Sequence, residues 1–173
     1  PQLVASPENP GFGAGHNRVI NAVSSDYHLV LNPDVVLGPD ALSTGLRWLQ
    51  ANPDVLLLSP FVESPTGQQE FLCKRYPSVW VLLLRAFAPT VVKRRFDRAL
   101  AEYECRDVCG GDAPADIELA SGCFMLARTP ALQSVGGFDE AFFLYFEDFD
   151  LSLRLAKLGR LVYLPATRIV HHG

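Results

Sequence analysis

Tyr27-His-Leu-Val-Leu-Asn-Pro-Asp34, then Pro39-Asp-Ala-Leu-Ser-Thr-Gly-Leu-Arg-Trp-Leu-Gln-Ala-Asn-Pro53, then Val55-Leu-Leu-Leu-Ser59 is the stretch whose reading decides the fold. Tyr27 to Leu31 is a short apolar run closed by Asn32-Pro33-Asp34, which reads as a buried strand ending in a turn. Pro39 suits the first turn of a helix, where its missing N–H costs nothing. Leu42, Leu46 and Leu49 then fall on one helical face, and Asn52-Pro53 ends the helix. Val55 to Ser59 is a second apolar strand. Strand, helix and strand in this order predict an α/β domain with a mixed, mostly parallel sheet flanked by helices and right-handed crossovers.

The same pattern continues outward. Asn9-Pro-Gly-Phe-Gly-Ala-Gly-His-Asn17 reads as a turn leading into a helix over Asn17 to Ser24. Glu63 to Gly67 reads as a turn, with a returning strand from Gln69 to Tyr76. Val79 to Ala88 is strongly apolar and is followed by Lys93-Arg94-Arg95. Arg106 to Asp116 reads as a mobile loop, and Leu119 to Ala127 as a strand. Phe149 to Leu158 reads as a helix stopped by Gly159, followed by strands at Leu161 to Leu164 and Arg168 to His171. No internal repeat divides the 173 residues, which are read as one domain.

Composition excludes several classes. Hydrophobic residues make up 49% and charged residues 20%, enough for a packed core. A formal net charge of −4 argues against a broad nucleic-acid surface. No apolar run reaches the ~18–20 residues of a membrane span. Cys73, Cys105, Cys109 and Cys123 form no zinc-type spacing and read as reduced thiols of a cytoplasmic protein.

Three places carry chemistry. Asp34 lies just past a strand end, where a carboxylate can meet a metal or a phosphate-bound metal; an Asx turn is the competing reading. In Phe143-Leu-Tyr-Phe-Glu-Asp-Phe-Asp150, aromatic rings crowd three carboxylates. Burial among them would raise a carboxyl pKa toward that of a general base. A helix start, which favours acids in its first turn, is the competing reading. His171 and His172 close the last strand, either as metal ligands or as an ordinary terminal pair. Three alternate glycines, Gly11, Gly13 and Gly15, could let backbone N–H groups approach a phosphate.

Taken in order, Asn9 to Asn17, Leu31-Asn-Pro-Asp-Val35, Ser121-Gly-Cys-Phe-Met-Leu-Ala-Arg128, Gly136-Gly-Phe-Asp-Glu140, Phe146-Glu-Asp-Phe-Asp-Leu-Ser-Leu-Arg154, Pro165 and His171 resemble family 2 glycosyltransferases. The nearest likeness is to the rhamnosyltransferase-like branch of bacterial polysaccharide and cell-wall assembly. The resemblance implies a GT-A fold and inverting transfer of a sugar from a nucleotide-diphosphate donor, with dTDP-rhamnose as the implied donor, to a glycan or polyprenyl-linked acceptor. It implies Asp148, beside Glu147, as the base. It places Asn9, Gly11, Asn17, Asn32 and Asp34 near the donor, and Ser121, Gly122, Asp139 and Glu140 on the acceptor side. Asp34 and His171 would hold a divalent ion, Mn²⁺ or Mg²⁺, with Asn32 replacing the first acid of the usual metal motif.

The family places a strand and an acidic nucleotide-binding segment ahead of the Gly-Phe-Gly loop. The chain is therefore expected to be a partial domain, weak in donor binding, with open sheet edges that could pair with a second copy. Val79 to Ala88 is read either as a core helix with a solvated basic end or as a peripheral contact with the inner face of the cell membrane. A non-catalytic binding module of the same fold and a nucleotide-sugar hydrolase are the alternatives to a transferase.

Overall fold

A computed structural model of the chain describes residues 3–5 and 8–173. In chain order the elements are α1 (Phe12–Ile20), β1 (Tyr27–Leu31), β2 (Val35–Leu37), α2 (Ala41–Ala51), β3 (Val55–Glu63), β4 (Gln69–Glu70), α3 (Val79–Phe87), α4 (Thr90–Arg95), α5 (Asp97–Tyr103), α6 (Arg106–Cys109), β5 (Ala115–Asp116), β6 (Phe124–Arg128), α7 (Thr129–Ser134), α8 (Glu147–Leu155) and β7 (Arg160–His171).

The strands form one mixed sheet in the order β1-β6-β3-β7-β2, with β4 added to β3 and β5 to β7. The long parallel pair of β3 and β7 is its centre. All other pairings among the described residues are antiparallel, so the sheet is mixed as expected but not mostly parallel. The sequence reading assumed that each helix carries the chain to a neighbouring parallel strand. Instead β6 lies between β1 and β3 and runs against both.

Side chains alternate across the sheet, and both faces are buried. On one face Leu57, Met125, Ala127, Leu161 and Tyr163 pack with Ile20 of α1, Leu132 of α7, and Leu151 and Leu155 of α8. On the other, Val55, Leu58, Phe124, Leu126, Val162 and Leu164 pack with Leu49 of α2. Gly45 permits that second approach, since a Cβ there would lie 2.9 Å from Leu126 Cδ2. A satellite cluster of Val81, Leu84, Leu100 and Tyr103 joins α3 to α5. The side chain of Ser78 caps α3 by accepting the Val81 N–H at 3.2 Å.

Several boundaries differ from the sequence reading. The first helix begins at Phe12 and ends at Ile20, and Gly13 within it serves close packing, since a Cβ there would meet Phe138 Cβ at 2.8 Å. The returning strand after Gly67 is only β4. Residues 106–116 are not a structureless loop, since they contain α6 and β5. The strand expected from Leu119 begins at Phe124. The two strands expected at the end are one, β7, with an irregularity in its pairing to β3 between Leu164 and Arg168 that absorbs Pro165. All four cysteines are buried and free, and burial pushes the Cys105 and Cys123 thiols up to about 11 and about 12.

Asn17 locks the turn that leads to α8. Its Oδ1 accepts the Phe138 N–H at 2.8 Å, and its Nδ2 donates to Phe138 O at 2.8 Å and to Glu140 Oε1 at 3.0 Å. Gly136 and Gly137 have φ of 78° and 72°, and a Cβ on Gly137 would lie 2.2 Å from Asn17 Oδ1. Gly137→Ala should therefore lower stability by about 2 kcal/mol through left-handed strain and loss of this clamp. Urea denaturation would show it as a lower midpoint.

Candidate active site

Asp148 sits in the first turn of α8, where the preceding Tyr145 and Phe146 both take left-handed backbone angles with φ of 69°. Such angles are strained for bulky residues and aim the helix start at the strand below. The carboxylate accepts the Gly122 N–H at Oδ2 and the Phe149 N–H at Oδ1, each at 2.9 Å. Gly122 must stay small, because a Cβ would lie 3.1 Å from the Phe12 ring and 3.6 Å from Asp148 Cβ. Burial raises the Asp148 pKa, and the backbone N–H groups pull the other way. The helix-start reading and the shifted-carboxylate reading therefore both hold. The burial is not a cage of aromatics, however, since Phe143, Tyr145 and Phe146 remain largely exposed.

Asp148 lines a cavity of about 410 Å³ together with Lys74, Arg85, Tyr103, Ser121 and Tyr145. A larger hollow of about 550 Å³ lies elsewhere, among Arg75, Arg98 and Asp107, where Arg75 and Asp107 already neutralise each other at 2.7 Å. It brings together none of the expected residues. Glu147 is buried at 5% exposure, and its Oε2 has no partner. Burial raises its pKa, assisted by the neighbouring Asp148 charge.

The expected metal pair lies on the other flank of the segment 121–123. The Asn32 N–H donates to Cys123 O at 3.0 Å, next to the glycine that binds Asp148. Asp34 Oδ2 is 3.4 Å from His171 Nε2, and His171 Nδ1 is 3.0 Å from Glu70 Oε2. Asp34 Oδ1 is buried without a partner. Adjacent carboxylate and imidazole donors with one orphaned oxygen fit a divalent ion such as Mn²⁺. Among the described residues no group of three or more His, Cys, Asp and Glu could hold a metal by itself. The protein would thus offer two ligands, with Glu70 orienting the imidazole from behind. Glu70 is a residue that sequence reasoning missed, since only the pairing of β3 with β4 brings it near β7.

The remaining expected residues divide. Ser121 lines the Asp148 cavity, and Gly122 binds the carboxylate. Asn9 is exposed, and its Oδ1 accepts the Gly11 N–H at 3.1 Å. Gly11, with φ of 92°, lies against Phe143, whose carbonyl oxygen a Cβ would meet at 2.8 Å. Asn17 is buried with its amide engaged by the 138–140 turn, and Glu140 is its partner. Asp139 Oδ1 accepts the Ala141 N–H at 2.9 Å.

The sequence model of the glycosyltransferase-like family 2 matches residues 5–172. The chain belongs to this family. It is 30% identical to the N-acetylglucosaminyl-diphospho-decaprenol L-rhamnosyltransferase of Mycobacterium tuberculosis, over 99% of its own length and 58% of that protein. It is 27% identical to the rhamnosyltransferase WbbL of Escherichia coli, over 94% of its length and 61% of that protein. The chain thus spans about three fifths of these curated relatives. Its fold matches GalNAc-T7 with UDP, GalNAc and Mn²⁺ at a TM-score of 0.70 and 12% identity, covering 99% of this chain and 32% of that one. It also matches the mannosyltransferase PcManGT of Pyrobaculum calidifontis, in complex with GDP-Man and Mn²⁺, at 0.59 and 19%, covering 98% and 39%. The GT-A fold implied by the sequence is the fold of the chain.

The buried acid beside Asp148 gives a pH signature. Its folded-state pKa lies above the unfolded value, so the destabilising cost is absent below the unfolded pKa and grows as pH rises toward the folded one. Glu147→Gln should match the parent protein at pH 4 and exceed it in urea midpoint at pH 8.

Proposed function

We propose that the chain carries the reacting face of an inverting glycosyltransferase. It would move a rhamnosyl group from a nucleotide-diphosphate donor, dTDP-rhamnose, to a hydroxyl of a lipid-linked saccharide. The observation that carries this reading is the carboxylate of Asp148: half-buried, fixed by two backbone N–H groups, raised in pKa, and open to a cavity sized for a sugar. The rhamnosyl group and the lipid-linked acceptor are suggested by the names of the relatives.

In the reaction, Asp148 takes the proton of the acceptor hydroxyl. The acceptor oxygen bonds to the anomeric carbon while the bond from that carbon to the diphosphate oxygen breaks on the opposite face. The nucleoside diphosphate leaves with the electron pair, and the anomeric configuration inverts. Each oxygen of Asp148 accepts one N–H and keeps a second lone-pair position for the incoming proton. Asp34 and His171 would hold the divalent ion, which when bound neutralises charge growing on the leaving diphosphate.

Replacing a general base costs a factor of roughly 10²–10⁴. In the intact protein Asp148→Asn should therefore reduce transfer by about this factor while donor binding survives, and Asp34→Ala should weaken Mn²⁺-dependent donor binding. Radiolabelled transfer and calorimetric titration check the two arms. Wild-type turnover in the first variant would remove the base assignment, and an unchanged metal titration in the second would remove the ion.

A lipid-linked acceptor calls for access to a membrane surface. Among the described residues no helix is long and apolar enough to cross a membrane. On α3, Val81 and Leu84 are buried whereas Val79, Trp80, Leu83 and Phe87 are exposed, and α4 follows with Lys93, Arg94 and Arg95. The helix thus has both a core face and an apolar outer face beside a basic end, the combination suited to an anionic interface. Co-sedimentation with anionic vesicles should fall with salt and with Phe87→Ser. Absence of binding would leave α3 as a packing helix alone.

A further inference from the structure

The cavity beside Asp148 contains two cations that the transfer chemistry above does not use. Lys74 is half-buried, and its Nζ donates to the Phe71 carbonyl and lies 5.7 Å from the centre of the Tyr103 ring. The Arg85 guanidinium lies 5.1 Å from the same centre and donates from Nη1 to the Tyr103 hydroxyl at 3.1 Å. Among the described residues neither cation is in an ion pair, which is also true of exposed basic residues such as Arg94 and Arg95; Lys74 and Arg85 differ from these in lining one cavity. Burial pulls the Lys74 ammonium below its usual range, opposed by the charge of Glu104, which itself pairs with Arg106. Two cations outside any ion pair, set around one buried phenol ring, favour a polyanion between them.

The cavity does not end there. Leu82, Phe146 and Phe149 line it and also line an adjoining apolar groove of about 430 Å³, whose further walls include Tyr76, Val79 and Phe142. This groove opens toward the exposed side of α3, where Val79 is 75% exposed and Trp80 55%. The Asp148 carboxylate, a pair of cations and an apolar groove thus share one continuous depression. A saccharide linked through a diphosphate to a polyprenyl chain carries a group suited to each of the three: a hydroxyl, a polyanion and an apolar tail.

We propose that Lys74 and Arg85 form the subsite for the acceptor's diphosphate, and that the groove between α3 and residues 142–153 takes the first isoprene units of its tail. This rests on the reading of the acceptor as lipid-linked and assigns the residues that recognise it. The donor's diphosphate is the competing source of the same charge. Its proposed anchors, Asp34 and His171, do not line this cavity, and a nucleotide has no apolar tail for the groove.

Farnesyl diphosphate is a short probe that carries both features. Its affinity for the intact protein should fall at least tenfold in Arg85→Gln and in Lys74→Gln, and also in Leu153→Asp, which places a charge at the groove wall. Affinity for dTDP with Mn²⁺ should stay within twofold in all three, and Asp34→Ala should show the reverse pattern. Lys74→Arg, which keeps the charge, should restore binding, so a general loss of folding is distinguishable; urea midpoints of each variant provide the same control. Equal loss of dTDP and farnesyl diphosphate in Arg85→Gln would assign the cations to the donor and overturn the proposal. So would farnesol binding as tightly as farnesyl diphosphate, or no binding of the probe to the folded parent protein. If the probe binds as expected but no sugar reaches a lipid-linked acceptor, the subsite stands and the transferase reading fails.

Discussion

Gly122 donates its backbone N–H to Asp148, and the arrangement of the site depends on that contact. The segment 121–123 is the approach to β6, a strand held between β1 and β3. On one side it binds the first turn of α8 through the carboxylate, and on the other its Cys123 carbonyl receives the N–H of Asn32. Two carboxylate-bearing turns, one from each side, are thereby fixed to adjacent residues of a single backbone. The distance between Asp148 and the Asn32–Asp34 turn is then set by sheet geometry rather than by flexible loops. Glycine keeps the approach close, since a Cβ there would press on the Phe12 ring at 3.1 Å. The α8 end is further constrained by Ser152, which donates to the Asp148 carbonyl at 2.8 Å and accepts the Ala120 N–H at 3.1 Å.

A second layer of constraint holds this first one. Asn17 reaches across from α1 to the 137–140 turn, and Arg154 of α8 donates from Nη1 to the carbonyls of Val135 and Gly137. The glycine-rich start of the chain therefore has a packing role of its own. It forms a helix whose buried asparagine sets the turn that leads to α8. A buried amide with its hydrogen bonds satisfied rigidifies a turn in a way that an apolar contact does not.

The sequence made some of this legible and hid the rest for physical reasons. Tyr27–Leu31 was readable to the residue because an apolar β-rich run was bounded by Asn-Pro. The α2 helix was readable from its leucine spacing and its proline and asparagine limits. Asp148 and Asp34 were readable because carboxylates at a helix start and past a strand end are few and well marked. Pairing directions were not readable, since β6 between β1 and β3 is a long-range arrangement that local patterns do not encode. Short elements such as α6 and β5 have too few residues for a period to emerge. Lys74, Arg85 and Glu70 had no signal at all: each is an ordinary surface residue type until the fold brings it beside Tyr103 or His171.

The opposing influences on Asp148 also explain how one carboxylate can be both fixed and reactive. Full burial without donors would raise its pKa until it kept its proton at neutral pH, and a base that is already protonated accepts nothing. Several donors without burial would stabilise the anion so well that it would lose basicity. Two N–H donors inside a partly closed cavity leave burial as the larger effect while limiting its size. Nearby positive charge would oppose burial further, and the cavity does contain two cations, yet both lie against Tyr103 rather than in an ion pair with Asp148. An ion pair with either would lower the proton affinity of the carboxylate. Their placement against Tyr103 leaves burial as the larger influence on Asp148 and keeps both cations out of an ion pair with it.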